Sequence, residues 1–131
     1  VHGGDQYRSN VHIQDAVDVF ELVLDRGADG GIYNVTWGDM TVGGIARLVQ
    51  GEALRAARAV EVVYQNVPDA RSYRLTAARL ARDFGWQPKR HIGEAVRDLF
   101  AWFASGSIKD PNDPVYWNAK RMKALMEASP T

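Results

Sequence analysis

The stretch GGDQYRSNVHIQDAV, residues 3–17, places several residue types of a binding site within a short length of chain. A glycine turn is followed by the isolated Arg8, by a strand of alternating residues and by an acidic helix start. The guanidinium of an arginine has five N–H donors in a planar fork and binds phosphate or carboxylate through two parallel hydrogen bonds. The stretch therefore looks like part of a binding site, with Arg8 as its candidate binding residue.

Glycines elsewhere in the chain do not form a dinucleotide-binding motif. Such a motif places glycines between a strand and a helix, so that the backbone can approach a pyrophosphate. Gly27, Gly30 and Gly31 follow a predicted helix and precede a predicted strand, which is the opposite order. The Gly43-Gly44 pair lacks the spacing of the motif. We therefore expect no NAD binding by this chain alone.

Short strands and longer helices alternate along the chain. Apolar residues at helical spacing predict a first helix that is capped by Asp15 and ends at Gly27. One buried stripe is expected on this helix, made of Ala16, Val17, Phe20, Val23 and Leu24. The other predicted elements are strands at 10–14, 32–37 and 59–64, an extended segment at 72–75, and helices at 41–57, 76–84, 91–104 and 115–127. This pattern indicates an α/β (α+β-like) small lobe, helix-rich, with about five helices, a few short strands and no complete Rossmann sheet.

The composition is that of an ordinary soluble globular protein. The 131 residues fit one domain, and 46% of them are hydrophobic and 24% charged. Sixteen basic and sixteen acidic residues balance, which argues against nucleic acid or an anionic membrane surface as the main partner. With no cysteine and three scattered histidines, we expect no metal site. No apolar run is long enough to span a bilayer, and we expect a cytoplasmic protein.

Four segments of the chain resemble, in the same order, segments of the extended short-chain dehydrogenase/reductase family. Within it, the chain is similar to the carboxy-terminal half of the NAD-dependent epimerases and dehydratases that act on nucleotide-linked sugars. The first segment, at 4–16, has the turn, arginine, strand and acidic helix start, and the second is the strand Ile-Tyr-Asn-Val at 32–35. The third is the arginine segment Asp-Ala-Arg-Ser-Tyr at 69–73, and the fourth is the segment at 80–88 that ends in Phe-Gly-Trp-Gln-Pro.

The resemblance implies two lobes with different functions. In the family, the first half binds NAD and holds the catalytic tyrosine and lysine, and the second half binds the substrate. Residues 3–105 would be this substrate-binding lobe, followed by a loop at 106–114 and a terminal amphipathic helix at 115–128. Because Val1 and His2 fall where the family has the middle of a strand, we expect a truncated or split product. We then expect no catalysis by this chain alone, with NAD bound only by the missing amino-terminal half.

The resemblance also implies which residues bind the substrate. In the family, arginines at the positions of Arg8 and Arg71 approach the diphosphate of a nucleotide-diphosphate sugar, and two guanidiniums can clamp such a group. The alternative is that both are ordinary surface arginines, since arginine is mostly exposed. Gln6 and Tyr7 either touch the nucleotide or form a plain exposed turn. Tyr73 either stacks or hydrogen-bonds near the clamp, or has a structural role as an alternating strand residue.

Tyr116 and Lys120 have the spacing of the family's catalytic pair. In the family, the lysine lies one helical turn after the tyrosine and lowers the pKa of the tyrosine that transfers a proton. That pair, however, lies well upstream in the family, beside the nicotinamide. We therefore interpret these two residues as part of a terminal amphipathic helix, with Tyr116 in packing contacts and Lys120 in solvent.

Three functions remain open at this point. The chain is a substrate-binding lobe for a nucleotide-diphosphate sugar, or a free-standing interaction module, or one half of a split enzyme whose Rossmann half is another chain. In the second case, the apolar face that the family packs against its cofactor domain would be exposed, and large exposed apolar patches favour association. We therefore expect a homo-oligomer or a complex with a Rossmann-domain partner.

Overall fold

The computed structural model describes residues 1–27, 30–66 and 71–128. Its elements are β1 (Tyr7–Asn10), α1 (Ile13–Arg26), β2 (Gly38–Thr41), α2 (Val42–Arg55), α3 (Ala78–Phe84), α4 (Ile92–Ala104), a 3₁₀ turn (Pro114–Tyr116) and α5 (Asn118–Ala128). The described residues thus form five α-helices and one two-stranded sheet, which confirms the predicted helix-rich small lobe without a complete Rossmann sheet. None of the described helices is both long and apolar enough to cross a membrane.

Two compact units make up the chain, residues 1–100 and residues 101–131. All the elements from β1 to α3 lie in the first unit, together with most of α4. The division predicted from the sequence, into a lobe at 3–105, a loop at 106–114 and a terminal helix at 115–128, stays a prediction.

The sheet consists of β1 and β2, which pair antiparallel with Tyr7 opposite Thr41 and Asn10 opposite Gly38. The predicted strand at 32–37 is wrong, since the chain there has no regular structure and reaches β2 only afterwards. The predicted strand at 59–64 is wrong as well. Residues rich in β-propensity favour extended backbone, but a strand also needs a neighbour that supplies ladder hydrogen bonds.

Three helix ends follow the residues predicted for them. Thr41 caps α2, and its Oγ accepts a hydrogen bond from the Gly44 N–H at 3.0 Å. Gly27 ends α1 and Gly85 ends α3, with φ values of 68° and 71°. Because positive φ is costly for residues with a Cβ, glycine at these two positions stops the helices.

Asp15 was predicted to cap α1, but it is buried within the first turn of that helix. His12 takes the cap position, and its Nδ1 accepts a hydrogen bond from the Gln14 N–H at 3.1 Å. The Asp15 carboxylate is 1% exposed and accepts hydrogen bonds from the backbone N–H groups of Lys89 and Arg90, both at 3.1 Å. The Arg90 guanidinium donates to it at 2.6 Å. Since a buried carboxylate must be paired and hydrogen-bonded, these contacts fix α1 to the turn before α4.

The hydrophobic core of the first unit joins α1 to α3 and the turn after it. Val19, Leu80 and Trp86 are buried at its centre. Partly buried side chains packed around them are Leu22, Val23, Tyr33, Val35, Ala77 and Phe84. Burial of one large apolar side chain contributes about 2 kcal/mol, so this small core depends on every member.

Three members of the apolar stripe predicted to be buried on α1 are exposed, whereas Val23 packs against the core and Ala16 is partly buried. Phe20 is 70% exposed and Leu24 83%, and Val17 and Ile13 are exposed beside them. The core side of α1 presents Val19 instead. The prediction is wrong because α1 has apolar residues on two faces, and the helical period alone does not tell which face meets the core.

The second unit contains an aromatic contact and the last helix. Trp102 packs edge-on against Tyr116, with their ring centroids 6.4 Å apart. The helix predicted from residue 115 begins only at Asn118, because a 3₁₀ turn comes first and Trp117 then has extended backbone.

Replacing Asp15 with Asn is expected to lower the free energy of unfolding by about 3 kcal/mol. The asparagine side chain has no negative charge to face Arg90. Its NH₂ group would also lie against groups that are themselves hydrogen-bond donors. Urea unfolding followed by circular dichroism measures the change. Asp25→Asn is the matched control, since Asp25 is an exposed residue of the same helix. Equal unfolding free energies for the two variants would contradict the anchoring role of Asp15.

Asp18, one turn after Asp15, adds an acid-sensitive contribution to stability. Hydrogen bonds from Arg90 and then Gln14 lower the pKa of Asp18 below its ordinary value. A carboxyl with a lowered pKa stabilises the fold above its unfolded pKa of about 4, and this stabilisation is lost as the pH falls through the lowered value. We therefore expect the free energy of unfolding to fall on acidification below about pH 5.

Asp18→Asn is expected to make this fall less steep, because the variant has no carboxyl at that position to titrate. Urea titrations over a series of acidic pH values measure the slope. The Asp25→Asn control should keep the slope of the unmodified chain. Parallel curves for Asp18→Asn and the unmodified chain would show that the contribution of Asp18 is absent.

Candidate functional site

Residues 71–75, here called the docked segment, lie along β1. The N–H of Tyr73 donates to the carbonyl of Tyr7 at 3.4 Å, and the N–H of Tyr7 donates to the Ser72 hydroxyl at 2.9 Å. Both backbone polar groups of Tyr7 are therefore satisfied by this segment. It has no regular strand structure, and side chains as well as backbone hold it in place.

Asp39 of β2 binds the carboxy-terminal end of the docked segment. Its carboxylate accepts hydrogen bonds from the Leu75 N–H, at 3.2 Å, and from the Ser9 hydroxyl. One carboxylate thus joins β1, β2 and the docked segment. Asp39 is not predictable from the sequence, because a single aspartate in a strand belongs to no recognisable pattern.

Arg8 and Arg71, the predicted phosphate-binding pair, lie together although they are 63 positions apart in sequence. The Arg8 guanidinium donates to the Arg71 carbonyl at 2.5 Å and to the Tyr7 carbonyl at 2.9 Å. Its central carbon lies 5.1 Å from the centroid of the Tyr73 ring, within the range of a cation–π contact. The docked segment therefore meets β1 at a point where Arg8, Arg71 and Tyr73 lie close together. Their role toward a ligand stays a prediction.

Tyr7 has a different partner, Arg74, which no sequence pattern indicates. The central carbon of the Arg74 guanidinium lies 3.7 Å from the centroid of the Tyr7 ring. Side chains alternate between the two faces of an extended chain. The contacts follow this alternation, since Arg8 meets Tyr73 and Tyr7 meets Arg74. Arg71, two residues before Tyr73, is expected on the face of Arg8, and Arg74 on the opposite face.

Gln6 closes the turn that precedes β1. Its Oε1 accepts a hydrogen bond from the Gly4 N–H at 2.7 Å, and its Nε2 donates to the His2 carbonyl at 2.6 Å. Both ends of the amide thus bond the turn itself. A contact between Gln6 and a nucleotide stays a prediction.

Gly43, the first of the two glycines at the start of α2, packs against that turn. The Gly43 N–H donates to the Gly4 carbonyl at 2.9 Å, and a Cβ added at Gly43 would lie 3.2 Å from the same oxygen. The missing Cβ therefore lets α2 approach the turn, and the room a pyrophosphate would need is taken by a carbonyl. This contact does not fit a dinucleotide site; the absence of a cofactor from this chain stays a prediction.

Tyr116 and Lys120 do not form a pair within one helix. Tyr116 ends the 3₁₀ turn and contacts Trp102, whereas Lys120 belongs to α5. The Lys120 ammonium lies 4.5 Å from the centroid of the Trp117 ring. Both residues thus have aromatic neighbours within the second unit, which gives their spacing a structural explanation.

Three solved structures share the fold of this chain over most of its length. RMD from Pseudomonas aeruginosa, complexed with NADPH, matches with a TM-score of 0.66 and 26% sequence identity over 80% of this chain and 35% of that chain. The dTDP-glucose 4,6-dehydratase (rfbB) from Bacillus anthracis str. Ames, in complex with NAD, matches with a TM-score of 0.62 and 20% identity over 79% and 33%. The Bordetella bronchiseptica enzyme WbmG, in complex with NAD and UDP, matches with a TM-score of 0.60 and 22% identity over 77% and 32%.

The chain has the fold of part of an NAD(P)-dependent epimerase or dehydratase. The family resemblance seen in the sequence is thereby confirmed. The chain spans about a third of the length of these structures (35%, 33% and 32%), so the activity of a whole enzyme does not transfer to it directly. No family model and no curated protein matches the chain.

Proposed function

We propose that this chain is the substrate-binding lobe of an epimerase or dehydratase, and that Arg8 and Arg71 bind the diphosphate of a nucleotide-linked sugar. The observation that supports the proposal most directly is the hydrogen bond from the Arg8 guanidinium to the Arg71 carbonyl. It brings two arginines from distant parts of the sequence to one surface. The fold similarity to enzymes complexed with NAD(P), one of them also with UDP, supports it further.

The chemistry of a diphosphate suits this arrangement. Its two phosphate groups offer several anionic oxygens, and each planar guanidinium can donate two parallel hydrogen bonds to them. Tyr73, whose ring lies beside Arg8, offers a flat surface on which a base or sugar can pack. In this proposal, Gln6 supports the site by closing the turn before β1, and Tyr7 by bonding the docked segment.

Hydride transfer lies outside the proposed role of this chain. The described residues contain no strand, glycine loop and helix arranged as a dinucleotide site, and no cluster of metal ligands. A cofactor-binding lobe would supply NAD(P) and the reacting groups. This chain would bind and orient the sugar nucleotide.

Arg71→Ala is expected to weaken binding of UDP about tenfold or more, since a hydrogen bond to a charged group contributes about 1.5–3 kcal/mol. Arg71→Ala is the sharpest variant because it keeps the carbonyl that Arg8 bonds and removes only a guanidinium. Isothermal titration calorimetry with UDP and dTDP-glucose measures the affinity.

The control for this titration is Arg58→Ala, at an exposed arginine just after α2, which is expected to bind UDP like the unmodified chain. Uridine, which lacks phosphate, is expected to bind more weakly than UDP. Absence of UDP binding at millimolar concentrations, or unchanged binding by Arg71→Ala, would contradict the proposed site.

A second candidate function is association between two copies of the chain. Ile13, Val17, Phe20 and Leu24 are exposed and follow one another at intervals of four, three and four residues. That spacing is typical of the seam between two packed helices. We propose that these residues, here called the α1 stripe, pair two copies of the chain.

Phe20→Glu is expected to convert this dimer to a monomer, because it places a charge in the middle of the α1 stripe. Light scattering after size-exclusion chromatography, over a range of concentrations, measures the mass. Asp25→Ala, an exposed polar position on the same helix, should leave the dimer intact. A monomeric unmodified chain at the highest concentration would contradict self-association and leave the stripe for a cofactor-binding lobe.

A further inference from the structure

The contact between Arg74 and Tyr7 is the closest cation–aromatic contact among the described residues. The Arg74 central carbon lies 3.7 Å from the centroid of the Tyr7 ring, well within the range of a cation–π contact. Arg74 has no ion-pair partner in the part of the chain that the structure describes. Its contact with Tyr7 is therefore its main interaction in the described fold.

The backbone hydrogen bond at the centre of the docked segment is weak. The bond from the Tyr73 N–H to the Tyr7 carbonyl is 3.4 Å long, which is beyond the usual range for such bonds. The docked segment has no regular strand structure, and all its residues are exposed. The Arg74 side chain adds a contact near this weak bond, between the hydrogen bonds at Ser72 and Leu75.

We propose that Arg74, stacked on Tyr7, is a positioning residue that holds Arg71 beside Arg8. The inference rests on the proposed function, because it assigns Arg74 a role in the same phosphate site. Arg74 does not touch the ligand in this account. It anchors one face of the docked segment, so that Arg71 and Tyr73 on the other face stay opposite Arg8.

The alternation of side chains explains why the anchor and the site are separate. Arg74 and Tyr7 meet on one face, and Tyr73 and Arg8 on the other. A cation on the anchor face is shielded from the ligand by the backbone between the faces. Loss of the anchor therefore affects binding through the position of Arg71, not through a lost contact with phosphate.

Two measurements on the same variants test this role. Hydrogen exchange of the Tyr73 amide, measured by NMR without ligand, reports how firmly the docked segment is held, because that amide bonds the Tyr7 carbonyl. Calorimetric titration with UDP reports the binding site. Arg74→Ala and Tyr7→Leu are each expected to speed the exchange and to weaken UDP binding by about fivefold. The double variant is expected to be no worse than either single variant, since both remove the same stack.

Conservative variants distinguish the loss of the contact between Arg74 and Tyr7 from other effects of the substitutions. Tyr7→Phe keeps the ring and should keep the exchange rate of the Tyr73 amide. Arg74→Lys keeps the charge but not the flat fork, and its exchange rate should lie between those of Arg74→Ala and the unmodified chain. Arg58→Ala should change neither measurement.

The possible results separate the two proposals. Weaker UDP binding by Arg74→Ala with unchanged Tyr73 exchange would mean that Arg74 contacts the ligand, and would overturn the positioning role. No change in either measurement would overturn it as well. If the unmodified chain binds no UDP, the proposed function fails, while faster exchange in Arg74→Ala would still support the anchoring of the docked segment.

Discussion

The bonds of the buried Asp15 carboxylate fix the framework on which the candidate site stands. They hold the first turn of α1 against the turn before α4, and His12 caps that same helix end. Only two residues separate α1 from β1, the strand that contains Arg8. The direction of β1 therefore depends on a helix start that a charged contact holds in place. With so small a hydrophobic core, few other contacts can replace it.

The candidate site depends next on how the docked segment meets β1. Backbone bonds to Tyr7, the carboxylate of Asp39 and two cation–aromatic contacts hold a stretch that has no ladder of its own. This arrangement joins residues from the beginning and the middle of the chain. It also separates them into two faces, one with Arg8 and Tyr73 and one with Arg74 and Tyr7. A single short segment can thus be anchored on one side and present binding groups on the other.

Much of the fold was predictable from local patterns, and the exceptions have a common cause. Thr41, Gly27 and Gly85 end helices where their chemistry predicts, because caps and positive φ are local properties. The strand at 32–37 and the burial of Phe20 were predicted wrongly. Both depend on which part of the chain comes to lie beside them, and residue spacing does not contain that information.

The site was predictable to a similar degree. Arg8 and Arg71 were named as a phosphate-binding pair through the family resemblance, and this pairing stays a prediction; the structure shows the Arg8 guanidinium bonded to the Arg71 backbone carbonyl. Arg74 and Asp39 were missed, because their importance follows from the side-chain faces and from the meeting of β2 with the docked segment. The side chains of Arg8 and Arg71 can be observed directly by NMR of arginine Nε–H groups during a titration with UDP. We expect both signals to shift and to saturate together at one ligand concentration. A titration in which neither signal responds, or only one of them, would contradict the proposed binding site.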